Sequence, residues 1–164
     1  MEVCAIKVQT AFCICVNFLG GRMFQGTSLL VLDAKGRLSL PSKYREDLLA
    51  PCQGEVTLTR HPDGCVLIYP RADWVQLRDK LVSLPYSARA LQRVMLGSAQ
   101  DITADASGRL LVPSDLRSLC GLNREVTLIG MGNHFELWDQ AQYMQFEQAE
   151  LQKGLPQEVF DLVL

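Results

Sequence analysis

Two arginines stand out because each follows an aspartate at the same spacing. Arg37 lies four residues after Asp33, and Arg109 lies four residues after Asp105. A guanidinium group carries a planar fork of N–H donors that pairs bidentately with the guanine edge or with a carboxylate. Two chemistries are therefore open: contact with nucleic acid, or a salt bridge inside the turn that would be worth little at a surface. The spacing alone slightly favours the salt bridge.

Both pairs belong to a longer internal repeat. Residues 33–45 return at 105–117, a shift of 72 positions, with identity at 8 of 13 positions. Further matches follow at shifts of 70 and 69, so small deletions fall in the loops. Two copies of one unit are the first feature to interpret. A unit of roughly sixty residues is marginal alone, so we expect the copies to share a core or to oligomerise.

The repeat predicts where each arginine sits. Asp33–Gly36 and Asp105–Gly108 have the composition of tight turns, with Asp accepting backbone hydrogen bonds and Gly relieving the backbone. A strand precedes each turn, and a return strand begins at each arginine. Pro41 ends the first return strand, and we expect Ser42 to be the N-cap of a short helix. The second copy repeats this plan with Pro113, Ser114 and a helix over 115–120.

A hairpin and helices follow in each copy. His61-Pro-Asp-Gly64 predicts a turn between strands 55–60 and 65–69. The spacing of apolar residues predicts helices over 71–82, 87–96 and 139–151. Trp74, Trp138, Tyr69 and Tyr143 occupy matching or apolar positions, where packing in a core is favoured over base stacking. These patterns predict an α+β fold.

The net charge of the chain does not exclude nucleic-acid binding. The formal net charge of the 164 residues is −2. Phosphate binding needs only a local basic surface, which net charge does not report. Four more basic residues lie near the two arginines, although Arg45 and Arg117 are equally compatible with a solvated or bridging place on their short helices. The candidate DNA-contacting residues are therefore Arg37, Arg109, Lys35, Lys43, Arg45 and Arg117.

The sequence carries no enzyme signature. It has no Gly-x-Ser-x-Gly, no P-loop and no glycine-rich dinucleotide loop. The six cysteines form no Cys-x-x-Cys pair, and His61 and His134 have no acidic or cysteine partner at ligand spacing. We therefore expect no enzyme activity, no catalytic residue, no metal and no cofactor.

Both ends of the chain differ from the repeats. Residues 1–22 are apolar but too short and polar to span a bilayer, and they lack a secretory cleavage site. We expect Met23 to be the natural start and residues 1–22 to be a non-native extension of a soluble protein. The copies would then span 23–97 and 98–164. The apolar tail 155–164 is a candidate docking segment.

The motifs together resemble the MraZ family of bacterial transcriptional regulators. The resemblance rests on Met23-Phe-Gln-Gly26, on Leu32 to Arg45, on the second copy at 105–117, and on Gly130 and Glu136-Leu-Trp138. It covers residues 23 to about 160. Two copies of Asp-x-x-x-Arg, each running into proline and a short helix, make the resemblance specific and support Met23 as the start.

The resemblance implies a fold and an assembly. Each βαβ-type repeat would be half of an AbrB-like swapped-hairpin barrel, with the two halves intertwined in one chain. Family members form ring-shaped homo-oligomers, an octamer being one candidate size here. They use no cofactor, and we expect no membrane association and no small-molecule ligand.

The resemblance also implies a function. Family members act in the cytoplasm or nucleoid and bind short direct repeats of double-stranded DNA upstream of their own gene, which heads the division and cell-wall gene cluster. They generally repress it. The family's DNA-contacting arginines correspond to Arg37 and Arg109. The second copy is less basic, with Ser107 and Asp115 where the first has Lys35 and Lys43, so equal contributions from the copies are not expected. The alternative is a ring-shaped protein-interaction scaffold for which nucleic-acid binding is incidental.

Overall fold

A computed structural model describes residues 23–154 of the chain. Each copy contributes four strands and a short helix, and longer helices follow. The first copy comprises β1 (Phe24–Val31), β2 (Arg37–Ser39), α1 (Ser42–Leu49), β3 (Glu55–Arg60), β4 (Val66–Pro70), α2 (Arg71–Val82) and α3 (Arg89–Gly97). The second comprises β5 (Gln100–Thr103), β6 (Arg109–Leu111), α4 (Ser114–Leu119), β7 (Glu125–Gly132), β8 (Phe135–Asp139) and α5 (Gln140–Lys153).

The strands form one six-stranded sheet in the order β1-β7-β8-β4-β3-β5 and a separate ribbon of β2 and β6. Every pairing is antiparallel. The α+β prediction is therefore confirmed, while each copy is a β-β-α-β-β unit with antiparallel neighbours in place of a βαβ-type crossover.

The two copies exchange their first strands. Strand β1 of the first copy pairs along its whole length with β7 of the second, from Phe24 opposite Gly132 to Val31 opposite Glu125. Strand β5 of the second copy pairs with β3 of the first. Each copy therefore completes the sheet of the other.

The expected closed barrel is not what the described strands form. Strands β1 and β5 are the two edges of the sheet, and the β2–β6 ribbon is a separate two-stranded sheet, with an isolated bridge between Leu32, just after β1, and Leu38. A sheet closes into a barrel only when its edge strands pair with each other. Strands β2 and β6 are three residues long and pair with each other instead, so the sheet stays open.

The central strand β4 is buried on both faces of the sheet, which explains its apolar composition. In β4, Val66 and Ile68 belong to a core shared with the ribbon, α1 and α4, whereas Leu67 and Tyr69 belong to a core shared with the longer helices. Alternate residues of a strand point to opposite faces, so a strand between two layers must be apolar throughout. As predicted, Trp74, Trp138 and Tyr69 are buried in the second core, with Tyr143 packed against it.

The helix starts correct one prediction. Ser42 is already the first helical residue, and Pro41 is the capping residue, with φ −55° and no side-chain cap hydrogen bond. Pro113 occupies the same place before α4. A proline fixes φ and so sets the direction of the chain at the helix start, and the N–H of Tyr44 is satisfied by the Pro41 carbonyl at 3.0 Å. Only α5, among the helices described, has a side-chain cap: Asp139 accepts from the N–H groups of Ala141 and Gln142.

The expectations for residues 1–22 and for the tail 155–164 lie outside the described residues. Within 23–154, no helix combines the length and the apolar character needed to cross a membrane.

Candidate nucleic-acid interface

The ribbon places the two predicted arginines on one face. Leu38 lies opposite Leu110 in the pairing of β2 with β6, and both leucines are fully buried. Because neighbouring residues of a strand point to opposite faces, Arg37 and Arg109 lie on the outer face. Arg37 pairs with Leu111, two residues from Arg109. The two arginines are therefore diagonal neighbours, with α-carbons about 7–8 Å apart.

Each arginine is held by the turn that precedes it. Asp33 Oδ1 accepts hydrogen bonds from the backbone N–H groups of Lys35 and Arg37, both at 2.9 Å. Its Oδ2 accepts from Arg37 Nε at 2.6 Å. Asp105 repeats the arrangement with Ser107 and Arg109, the Nε contact measuring 2.7 Å. The predicted turns are thus present in both copies.

These contacts keep the turn carboxylates ionised. The backbone N–H of Arg37, together with its side chain, lowers the pKa of Asp33 to about 2. The backbone N–H of Arg109 likewise lowers the pKa of Asp105. At neutral pH each aspartate therefore offsets the charge of its arginine, and the salt bridge predicted as one alternative exists.

The salt bridge leaves the outer donors of each arginine available. Only Nε of Arg37 and of Arg109 contacts the aspartate side chain. Within the part of the chain that the structure describes, the terminal amino groups of both arginines make no hydrogen bond. Their side chains are 31% and 35% exposed. The aspartate thus orients the guanidinium without blocking its outer edge.

Arg45 and Arg117 lie across the ribbon, each against the turn of the other copy. The Cζ atom of Arg117 lies 2.6 Å from the position that a β-carbon on Gly36 would occupy. The Nε atom of Arg45 lies 2.5 Å from the same position on Gly108. Arg45 Nη2 also donates to the Leu40 carbonyl at 2.9 Å, and Arg117 Nε donates to the Val112 carbonyl at 3.1 Å. Both arginines therefore hold the turns in place.

The two lysines differ in their surroundings. Lys35 is exposed in the first turn. Lys43 Nζ lies 4.5 Å from the centre of the Tyr44 ring, a cation–π contact. At the place that corresponds to Lys43, Asp115 accepts a hydrogen bond of 2.7 Å from Gln100 Nε2. The structure therefore brings Lys35, Arg37 and Arg117 together at the first turn, and sets Lys43 against an aromatic ring.

One basic residue at this surface was missed by the sequence reasoning. Arg124 lies with Arg117 in a groove of about 690 Å³ beside the first turn. A shift of 70 places Arg124 opposite Gly54 of the first copy. The sequence does show an arginine in one copy where the other has a glycine, but a search for repeated motifs rests on identical residues and passes over such a difference.

The histidines are separate from this surface. His61 and His134 lie at the tips of the β3–β4 and β7–β8 hairpins. The ring of His134 stacks on Tyr69 at 4.5 Å, and burial lowers the pKa of His134 to about 4. Among the residues that the structure describes, no three His, Cys, Asp or Glu side chains are placed to hold a metal ion.

Comparison with known proteins gives the family. The family model described as "MraZ protein, putative antitoxin-like" matches residues 23–94 and again residues 95–159. A Bordetella pertussis protein named "Transcriptional regulator MraZ" is 52% identical over 134 residues, covering 82% of this chain and 94% of that protein. A Paraburkholderia xenovorans protein of the same name is 52% identical over 139 residues, covering 85% of this chain and 98% of that protein. The chain, with two copies of one unit and a shared Asp-x-x-x-Arg ribbon, belongs to the MraZ family.

Proposed function

We propose that the chain is a sequence-specific DNA-binding transcriptional regulator that represses its own promoter. Its sites would be short direct repeats ahead of the division and cell-wall gene cluster. The relatives' name, "Transcriptional regulator MraZ", supports a role in transcription. The observation that carries the proposal is the placement of Arg37 and Arg109 as diagonal neighbours on the outer face of one exposed ribbon.

The ribbon suits direct reading of base edges. The major groove of B-DNA admits a two-stranded β-ribbon, and arginine pairs bidentately with guanine O6 and N7. The α-carbons of the two arginines are about 7–8 Å apart, a backbone spacing of roughly two base steps of 3.4 Å. Asp33 and Asp105 fix the guanidinium orientation in advance, which lowers the entropic cost of ordering it on DNA. Lys35 and Lys43 would contact phosphates, and Arg45 and Arg117 would mainly keep the turns in shape.

Assembly into a ring would let several ribbons bind DNA at once. A homo-oligomeric ring in the cytoplasm, associated with the nucleoid, would present one ribbon from each subunit. Tandem DNA repeats then engage several ribbons at once, and the high effective concentration offsets weak single contacts. The proposal requires no cofactor and no catalytic step.

A mobility-shift assay with promoter DNA tests the proposal. Each bidentate contact discriminates by about 1–3 kcal/mol, so Arg37→Ala with Arg109→Ala should weaken binding at least about 30-fold. Size-exclusion chromatography should show the same assembly as the wild type. The matched control is Arg78→Ala, because Arg78 lies on α2 and pairs with Asp79 in the opposite layer. Unchanged DNA affinity in the double variant would show that the ribbon is not the reading element.

Salt dependence separates this function from the scaffold alternative. Binding that neutralises phosphates weakens steeply as salt concentration rises, because counterions are released from DNA. An apolar protein interface has no such dependence. Promoter affinity that is independent of salt would therefore favour the scaffold.

A further inference from the structure

The groove beside the first turn has no basic counterpart to Arg124 at the matching position of the other copy, which is Gly54. One wall is residues 31–34, which lead into the turn. The other wall is Arg117 from α4 together with residues 122–124 from the loop before β7. The groove therefore includes Asp33, the residue that holds Arg37.

Backbone hydrogen bonds show which residue occupies the same place at the other turn. The N–H of Leu32 donates to the carbonyl of Arg124 at 2.8 Å. The N–H of Ala104 donates to the carbonyl of Gly54 at 2.9 Å. Leu32 and Ala104 each precede the aspartate of their turn, so Arg124 and Gly54 are structural equivalents.

The equivalence makes the two ends of the ribbon electrostatically different. Gly54 has no side chain, so the second turn has no counterpart of the Arg124 cation, and its φ of +82° is one that side chains rarely adopt. Lys35 adds a further cation at the first turn, where the second has Ser107. The first end of the ribbon therefore carries two basic side chains that the second end lacks.

The groove has the donors that an anion needs. Within residues 23–154, the side chain of Arg124 makes no hydrogen bond or ion pair, and the terminal amino groups of Arg117 make no hydrogen bond. The one acidic side chain in its wall, Asp33, already accepts from Arg37 and from two backbone N–H groups. Two guanidinium groups thus face a carboxylate whose charge is already offset.

We propose that this groove binds a phosphate of the DNA backbone and thereby fixes the direction in which each chain lies on its site. The inference rests on the proposed DNA-binding function. A symmetric ribbon would bind a short site equally well in either direction. A phosphate contact at one end only favours one direction, which tandem direct repeats require if neighbouring subunits are to bind in the same orientation.

Ethylation interference on a probe with one repeat tests the site. In the wild type, ethylation of a phosphate on one flank of the repeat should block binding more than ethylation on the other flank. Arg124→Gln should diminish that difference, with Lys35 accounting for what remains, and reduce the slope of log K against log[salt] by about 0.9. Arg124→Lys should retain most of the slope, since the charge remains. Arg78→Gln is the matched control and should change neither measurement.

We expect Arg124→Gln to leave the fold intact. The contact that joins Arg124 to Leu32 uses the backbone carbonyl, which glutamine keeps. Thermal unfolding of the variant should match the wild type, so a lost phosphate contact is read from a folded protein.

The outcomes distinguish failure of the groove from failure of the function. Wild-type protein without salt-dependent promoter binding would overturn the proposed function itself. Promoter binding that needs Arg37 and Arg109 but keeps its slope and interference pattern in Arg124→Gln would overturn only the groove. Calorimetric titration with inorganic phosphate, in the absence of DNA, separates the two sources of the anion. Micromolar phosphate binding that Arg124→Gln removes, with an unchanged DNA slope, would assign the groove to a free anion and overturn the DNA contact.

Discussion

The guanidinium of Arg117 lies against the backbone of Gly36, with Cζ 2.6 Å from the position of a missing β-carbon. Arg45 and Gly108 form the same contact in the opposite direction. A helix of each copy therefore fixes the turn of the other copy, and through that turn the aspartate that orients the reading arginine. The reading surface is formed by both copies together.

Replacing Gly36 with alanine should destabilise the protein and disturb this contact. Gly36 has φ +78°, so alanine costs about 1–3 kcal/mol in backbone strain, and its β-carbon displaces the Arg117 side chain. We expect a lower urea midpoint for Gly36→Ala. In a double-mutant cycle, Arg117→Ala should cost less in the Gly36→Ala background than in the wild type. Additive costs would mean that Arg117 does not hold the turn.

Replacing Gly130 should disrupt the exchange of strands between the copies. A β-carbon on Gly130 would lie 2.5 Å from the backbone nitrogen of Gln25 in β1, and backbone cannot move aside cheaply. Gly130→Ala should therefore cost more than about 3 kcal/mol of unfolding free energy, the range of severe core overpacking. Gly97→Ala is the control, because nothing lies within 4 Å of its β-carbon position in α3. Alanine there should be neutral or stabilise by up to about 1 kcal/mol. Equal midpoints for the two variants would contradict the close approach of β1 and β7.

Titration of Asp33 and Asp105 should make stability fall at acid pH. Both carboxyls have a lowered pKa in the folded protein, Asp33 at about 2. A group whose folded pKa lies below its unfolded value stabilises the protein above the unfolded pKa, and loses that contribution as pH falls through the folded one. We expect the melting temperature to decrease between about pH 4 and pH 2. Asp33→Asn with Asp105→Asn should flatten that decrease, since asparagine keeps the acceptor but does not titrate. An equally steep decrease in the double variant would count against the turn geometry.

His134 should give a second, separate pH dependence. Burial lowers the pKa of His134 to about 4, and the charge of His61 acts in the same direction. The folded protein favours the neutral ring. The contribution of His134 to stability is therefore complete above the unfolded pKa of about 6.5 and declines as pH falls towards 4. An NMR titration of the ring should show a midpoint well below 6.5. His134→Phe should keep the stack on Tyr69 and remove the decline in melting temperature over that window. A midpoint near 6.5 would mean that the ring is solvated.

Exchanging the residues at the third position of the two turns should change DNA binding in opposite directions. Lys35 and Ser107 occupy matching exposed positions, and each donates its backbone N–H to the turn aspartate. Lys35→Ser should weaken promoter binding and reduce its salt slope, whereas Ser107→Lys should strengthen both. The assay is fluorescence anisotropy over a range of salt concentrations. Unchanged affinity in both variants would mean that neither turn approaches a phosphate.

Much of the site was predictable from the repeat. Matching Asp33 to Asp105 and Arg37 to Arg109 gave the turns and their salt bridges, because an Asx-type turn depends on residues within four positions. The hairpin at His61–Gly64 was predictable for the same reason and is confirmed by the His61 N–H donating to the Cys65 carbonyl at 2.9 Å. The helix start was predicted wrongly at Ser42, because Pro41 begins the helix without a side-chain cap.

Contacts between the copies required the tertiary structure. The pairing of β1 with β7, the open sheet and the approach of Arg117 to Gly36 join residues far apart in the chain, and a local pattern does not encode which distant partner a strand or side chain meets. Arg124 shows the same limit: its place beside the first turn depends on a backbone bond to Leu32 from the other copy. By itself, the sequence determined two similar units, each with an arginine held by a turn, because those features are local. Only the tertiary structure decided that both arginines share one face and that Arg124 adds its charge to the first turn, because both depend on how the copies pack.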